Sequence, residues 1–244
     1  MIVIAALAAF AGAFVQSATG FGFALVLSPA LFAVLEPVEA VTALLALGFV
    51  LNLLVFFEHG RPGGVDWRSI LPMLLAAVPG LAVGFVVLEA LSKQALQVAV
   101  GVAVLLAAGW QLRQRRHQRR PALPAWAGWA VGFLSGTFTT SISVSGPPLV
   151  LWLEARGVDP REFRASLAAS FLALNLAGCA LLLVLEGSAA LDAVVVLPLL
   201  GLVLAGHVLG ALAFRRLDRE RFFTFVLLLV AATGLASVAA GLAG

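Results

Sequence analysis

Charged residues are scarce in this chain, and their scarcity excludes the soluble classes of protein. Only 11% of the residues are charged and 62% are hydrophobic, whereas soluble domains carry about 25% charged residues. So few charges cannot cover the surface of a water-soluble globule of 244 residues. The apolar residues also lie in long runs, without the alternation that a membrane β-barrel requires. The composition therefore predicts an all-α polytopic membrane protein.

The chain also has only one cysteine, and it has no basic segment at its N-terminus. The single cysteine, Cys179, excludes an intramolecular disulfide and a cysteine-based metal cluster. No basic residue precedes the first apolar stretch, so we expect no cleaved signal peptide. We expect neither a metal, nor a cofactor, nor catalytic residues. The formal net charge of +3 would suit a nucleic-acid partner, but we assign the basic residues to short cytoplasmic loops.

Eight apolar runs divide the chain, and six have the length of an ordinary membrane-spanning helix. The other two, Ile2–Leu35 and Ala125–Leu153, are too long for one crossing and are interrupted near the middle. The interruptions contain QSATGFG at 16–22 and SISVSGPP at 141–148. Because proline ends or kinks a helix and glycine loosens it, these runs predict two broken helices. The six ordinary runs are 41–57, 70–88, 95–112, 165–185, 193–214 and 222–243.

The two halves of the chain share an order of features. Asn52, late in one run, has a counterpart in Asn175. A proline and two glycines recur with a constant offset of 126 residues, as Pro72, Gly80, Gly84 and as Pro198, Gly206, Gly210. We therefore predict a duplication in which each repeat is a broken helical hairpin plus three transmembrane helices. The first repeat is 1–112, a basic cytoplasmic linker is 113–124, and the second repeat is 125–244.

The basic residues predict the topology. If every apolar run crossed once, the 15 basic residues would divide seven to eight between the two sides. If both interrupted runs enter and leave on the same side, 14 of the 15 fall together, as the enrichment of Lys and Arg in cytoplasmic loops requires. This arrangement places both termini outside and gives the repeats opposite orientations. It is the inverted repeat of many secondary transporters, which bind substrate near the midplane between broken helices.

The two interruptions are candidates for an anion site. A helix N-terminus at a break presents free backbone N–H groups and a partial positive charge, which bind an anion without a buried cation. Hydroxyls add donors, and glycines let the backbone approach the ligand. The alternative is that the small residues only allow tight helix packing, but two breaks at matched positions favour binding. The candidates are Gln16, Ser17, Thr19, Gly20, Gly22, Ser143, Ser145, Gly146 and Pro147.

Three polar residues within the spans complete the candidate set. His207 is the only ionisable residue deep inside a span, which by default indicates function. Its imidazole is suited to contact an anion and to couple a proton near pH 7; the alternative is a bond to a neighbouring carbonyl. Asn52 and Asn175 are buried amides that need partners. They either brace the hairpins or touch the substrate.

Two segments resemble the glycine-rich signatures of a known family. Residues 20–29, GFGFALVLSP, and 145–151, SGPPLVL, are similar to the paired signatures of the TauE/SafE sulfite exporter family. Residues 163–175, from FRASL to the asparagine, resemble its second half. The resemblance covers essentially the whole chain. It implies a transporter of small sulfur-containing anions, such as sulfite or an organosulfonate, in the cytoplasmic (inner) membrane of a prokaryote.

The family's motifs map onto specific residues of this chain. The resemblance implies roles for Gly20, Gly22, Gly146, Pro147 and Pro148. This chain departs from the pattern at Ser143 and Ser145, which stand where relatives tend to have glycine. The added hydroxyls would change the hydrogen bonding of the cavity.

These observations together predict a secondary transporter, with export as the favoured direction. Alternating access by rocking of the two repeats would carry the anion between the hairpin tips. One alternative is a transporter or channel for another small organic anion, such as a carboxylate. Another is an intramembrane serine hydrolase that pairs Ser143 or Ser145 with His207. The expected partners are the anion and the lipid bilayer, with a homodimer left open and no nucleic acid.

Overall fold

The computed structural model describes residues 2–59, 64–117, 123–187, 192–214 and 219–243. Within these ranges the chain forms ten helices and no strand, so the all-α prediction is confirmed. Six helices are long and apolar enough to cross a bilayer, and they coincide with the six predicted spans. The helices are α1 (Ile2–Thr19), α2 (Phe23–Val34), α3 (Pro37–His59), α4 (Trp67–Ala90), α5 (Lys93–His117), α6 (Ala127–Ile142), α7 (Gly146–Arg156), α8 (Pro160–Glu186), α9 (Ala193–Phe214) and α10 (Arg219–Ala243).

The first interrupted run is a hairpin of two short helices. Gly20 and Gly22, between α1 and α2, have φ of 92° and 117°, a backbone conformation that other residues adopt only with strain. Beyond this turn the chain folds back on α1. Gly22 lies against Val15, and Phe23 lies against Gly12. Because the sequence separation grows from the first contact to the second, α1 and α2 run antiparallel.

The second interrupted run is also broken where the sequence predicts. The helix α6 ends at Ile142, and α7 begins at Gly146 and packs back against α6. Ser143 ends α6 in the left-handed conformation, with φ of 58°, and the N–H of Val144 donates to the carbonyl of Phe138. Two left-handed glycines in the first hairpin thus correspond to one left-handed serine in the second.

The glycine pairs matched between the halves lie at close helix contacts. Gly80 and Gly84 place α4 so close to α6 that a methyl group on either would clash with the carbonyl of Phe133 or Thr137. Gly206 and Gly210 do the same for α9 against α1. Each hairpin's first helix therefore packs along a long helix from the other half of the chain, because small residues let the backbones approach closely. Two further long helices, α3 and α8, pack against each other between the hairpins.

Candidate functional site

A cavity lies where the two helix breaks meet on α3 and α8. The cavity has a volume of about 40 Å³, which is room for about three water molecules and suits a solute of a few heavy atoms. The breaks contribute backbone and hydroxyl groups, and the two long helices contribute amides and apolar side chains. Of the residues proposed from the sequence, the lining contains Gln16, Gly22, Asn52, Ser143, Ser145, Gly146 and Asn175.

Both polar atoms of the Asn52 amide take part in bracing the first hairpin. Its Oδ1 accepts from Gln16 Nε2 at 2.7 Å, and its Nδ2 donates to the carbonyl of Gly48 at 2.7 Å. Gln16 Oε1 in turn accepts from the backbone N–H of Phe23 at 3.0 Å. The two side chains therefore tie α3 to α1 and to the first residue of α2. For Asn52, this geometry matches the bracing alternative.

The Asn175 amide, by contrast, faces the cavity without a partner. Its side chain is buried, with 9% exposure, and no other described residue forms a hydrogen bond with it. The Ser145 hydroxyl lies beside the same cavity and likewise caps no backbone group of α7. Buried polar groups are normally hydrogen-bonded. These two donors are therefore available to a solute in the cavity.

Both short second helices begin at the cavity but offer different donors. The first-turn N–H groups of a helix have no partner within the helix. In α2 the Phe23 N–H is taken by Gln16, whereas Ala24 and Leu25 line the cavity. In α7 the first positions include Pro147 and Pro148, which have no N–H. The first hairpin therefore supplies backbone donors, and the second supplies mainly hydroxyls.

Ser143 occupies a position that favours glycine for conformational reasons. It is the only non-glycine among the described residues with positive φ, and the left-handed cap of a helix usually carries glycine. Its hydroxyl lies 3.5 Å from the carbonyl of Val41 and 3.4 Å from that of Thr139, and its single proton can make only a long bond to one of them. Ser143, where relatives tend to have glycine, is therefore a strained residue in the cavity wall.

Five proposed residues lie outside the lining of this cavity: Ser17, Thr19, Gly20, Pro147 and His207. The Thr19 hydroxyl lies within hydrogen-bond distance of the carbonyls of Val15 and Phe21 and can donate to either. Gly20 lies against the side chain of Arg164, whose guanidinium donates to the carbonyl of Ala18 at the end of α1. The part that these five residues play in binding stays a prediction.

His207 is held between two partners. Its Nδ1 lies 2.7 Å from the hydroxyl of Ser17, and its Nε2 lies 3.2 Å from Oε1 of Glu58. Neither Ser143 nor Ser145 is hydrogen-bonded to the imidazole among the described residues. The serine–histidine pair that a hydrolase would need is thus absent at those two serines.

The apolar part of the lining was not proposed from the sequence. It includes Gly48 and aromatic and aliphatic side chains of the first break, α2, α3 and α8: Phe21, Phe23, Leu44, Leu45 and Phe171. One signal was available, because Gly48 and Phe171 each precede a candidate asparagine by four residues. Residues four apart share a helix face, so the asparagines indicate which face of each helix lines the cavity.

Comparison with known proteins gives a consistent assignment. The chain is 32% identical, over 170 residues, to a protein of Cupriavidus necator named "Probable sulfite/organosulfonate exporter TauE". The alignment covers 66% of this chain and 64% of that relative, just under two thirds of its length. No solved structure matches the chain significantly. The sequence model of the family described as "Sulfite exporter TauE/SafE" matches residues 4–237, and the chain therefore belongs to the TauE/SafE family.

Proposed function

We propose that this protein is a secondary transporter that exports a small sulfur-containing anion, such as sulfite or a short organosulfonate. The observation that carries the proposal is the cavity between the two helix breaks, with the unpartnered Asn175 amide and Ser145 hydroxyl on its wall. Membership of the TauE/SafE family and the printed name of the Cupriavidus necator relative support a sulfur-containing anion as the solute.

The chemistry of the lining suits an oxyanion. The lining contains amides, hydroxyls and the start of α2, and no charged side chain among the described residues. Neutral donors and a helix N-terminus stabilise an anion through hydrogen bonds and a partial positive charge. A buried cation would hold the anion more tightly, and a carrier must also release its solute. The aromatic side chains of Phe21, Phe23 and Phe171 would accommodate a short apolar tail.

The proposed mechanism is alternating access by two inverted repeats, 1–112 and 125–244, joined by the linker 113–124. Residues 118–122 of that linker lie outside the described residues. The first helix of each hairpin packs along a long helix of the other half, α1 along α9 and α6 along α4. This reciprocal packing supports the duplication. The basic residues support cytoplasmic placement of the linker and external termini. In this mechanism the repeats rock around the cavity and expose it to each side in turn.

Transport by purified protein in liposomes tests the function. We expect saturable counterflow of labelled sulfite or methanesulfonate, with acetate as the competing carboxylate. Ser145→Ala should raise the apparent KM, because it removes a donor to the anion. Ser170→Ala is the matched control, since Ser170 is a buried serine of α8 that bonds the carbonyl of Ser166 at 2.7 Å, away from the cavity.

Three outcomes would contradict the proposal. Acetate transported in preference to both sulfur compounds would support the carboxylate alternative. Single-channel currents would indicate a pore in place of a carrier. Equal effects of the two serine substitutions would mean that the cavity is not where the anion binds.

A further inference from the structure

We propose that Glu58, His207 and Ser17 form a proton-binding site that couples proton movement to the first hairpin. The inference rests on the proposed transport function and adds the coupling ion to it. The observation is a continuous chain of three side chains, from α3 through α9 to α1. It leads from the half-exposed carboxylate of Glu58 to the buried hydroxyl of Ser17, the residue after Gln16 of the cavity wall.

The geometry provides a path for protons from water. The side chain of Glu58, one residue from the end of α3, is 44% exposed, whereas that of His207 is 6% exposed. The two approach to 3.2 Å between Oε1 and Nε2. Histidine is the side chain whose charge ordinarily changes between pH 5 and 8. A proton can therefore reach a buried imidazole through a carboxylate that water contacts.

The Ser17 hydroxyl can donate to only one of two nearby acceptors at a time. Its oxygen lies 2.8 Å from the carbonyl of Ala13 and 2.7 Å from Nδ1 of His207, but a hydroxyl has a single proton to donate. With a neutral imidazole, Nε2–H donates to Glu58 and the Ser17 hydroxyl donates to Nδ1. With a protonated imidazole, Nδ1–H donates to Ser17, and Ser17 donates to Ala13. The two states differ by one proton taken from water.

Among the described residues, Glu58 is the charged side chain that contacts His207. The helices with the most extensive packing against α9 are α1 and α3. The residues of α1, 2–19, include no charged side chain, and α3 contributes Glu58 near His207 and Glu39 in its first turn. Arg164, from α8, reaches the end of α1 at Ala18. An imidazolium between Ser17 and Glu58 is thus compensated by the carboxylate.

The proton site is connected to the anion cavity through α1. Ser17 directly follows Gln16, which bonds both Asn52 and the first residue of α2. A change in the Ser17 hydrogen bond alters the link between α1 and α9 at the level of the cavity wall. Movement of one proton with one monovalent sulfonate would leave the net charge transferred at zero.

Histidine nitrogen NMR of the full-length protein tests the proton site directly. The chain has three histidines, and His207→Gln assigns the resonances of interest. We expect acidification to convert the neutral ring reversibly into the doubly protonated ring, and Glu58→Gln to change the proportion of the two forms. Ser17→Ala should remove the hydrogen bond at Nδ1. A His207 ring that keeps one protonation state throughout, or that ignores Glu58→Gln, would overturn the proposal.

Proton movement during transport tests the coupling. Liposomes that contain a pH-sensitive dye report protons moved with methanesulfonate, which stays ionised at neutral and mildly acidic pH. We expect protons to move with the anion in the wild type, and no proton movement for His207→Gln or Glu58→Gln. Glu36→Gln is the matched control, because Glu36 is an exposed carboxylate paired with Lys93 at 3.2 Å.

The outcomes separate this inference from the proposed function. Sulfonate transport without proton movement in the wild type, or proton movement that persists in His207→Gln, would overturn the coupling and leave the transport function standing. Absence of transport of any sulfur-containing anion would overturn the transport function and the coupling with it. In that case the NMR titration still decides whether the proton site exists.

Discussion

The two matched asparagines should separate stability from binding. Asn52→Ala removes two buried hydrogen bonds of 2.7 Å, to Gln16 and Gly48, and leaves Gln16 Nε2 without the acceptor that Asn52 provides. Hydrogen bonds between membrane helices average about 0.6 kcal/mol and reach about 1.7 kcal/mol. We therefore expect the free energy of unfolding to fall by about 1–3 kcal/mol. Asn175→Ala removes no described hydrogen bond, so its free energy of unfolding should stay close to that of the wild type.

The two substitutions should rank in the opposite order in their effect on anion affinity. A hydrogen bond to a charged group contributes about 1.5–3 kcal/mol, which corresponds to about a tenfold to 150-fold loss of affinity in Asn175→Ala. Unfolding in mixed detergent micelles measures the first quantity, and calorimetric titration with methanesulfonate measures the second. Equal destabilisation by the two substitutions, or unchanged affinity in Asn175→Ala, would refute the reasoning.

Three further substitutions test the helix contacts and the breaks. Gly84→Ala should lower the free energy of unfolding by about 1–3 kcal/mol, since its methyl group would clash with the backbone of α6. Gly201→Ala is the control, because a methyl group there meets nothing within 4 Å. Equal thermal stability of the two variants would contradict the packing. Gly146→Leu should fill the cavity and abolish transport while the protein still folds, because a Cβ there lies 3.6 Å from Phe171; normal transport would contradict the site. Ser143→Gly should raise the melting temperature by relieving about 1 kcal/mol of left-handed strain, and an unchanged or lower value would argue against strain at that residue.

The fold could be predicted from the sequence because bilayer thickness sets a simple length rule. Six apolar runs of suitable length became six long helices. The glycines and prolines at 16–22 and 141–148 marked both breaks, since few other residues accept the φ of Gly20 and Gly22. Charge counting predicts the orientation of the termini and of the repeats, and that part stays a prediction.

The candidate site was predicted only in part, because contacts between distant helices leave little trace in one sequence. Glycine, serine and asparagine at the breaks pointed to the cavity, but nothing local tells that Asn52 is bonded and Asn175 is not. His207 was conspicuous as an ionisable residue in a span. Its pairing with Ser17 and Glu58 depends on how α9 lies against α1 and α3, which only the packed structure reveals.

The reciprocal packing between the halves has a consequence for biosynthesis. The helix α1 leaves the ribosome first, yet the surface on which it packs belongs to α9, which is made only after most of the chain. Until then, the close contact at Gly206 and Gly210 cannot form. The face of α1 that packs on α9 therefore has no protein partner during synthesis. The tertiary structure can therefore form only late, when both halves are present. Two separately translated halves would assemble with each other, whereas either half alone would lack the helix on which its hairpin packs.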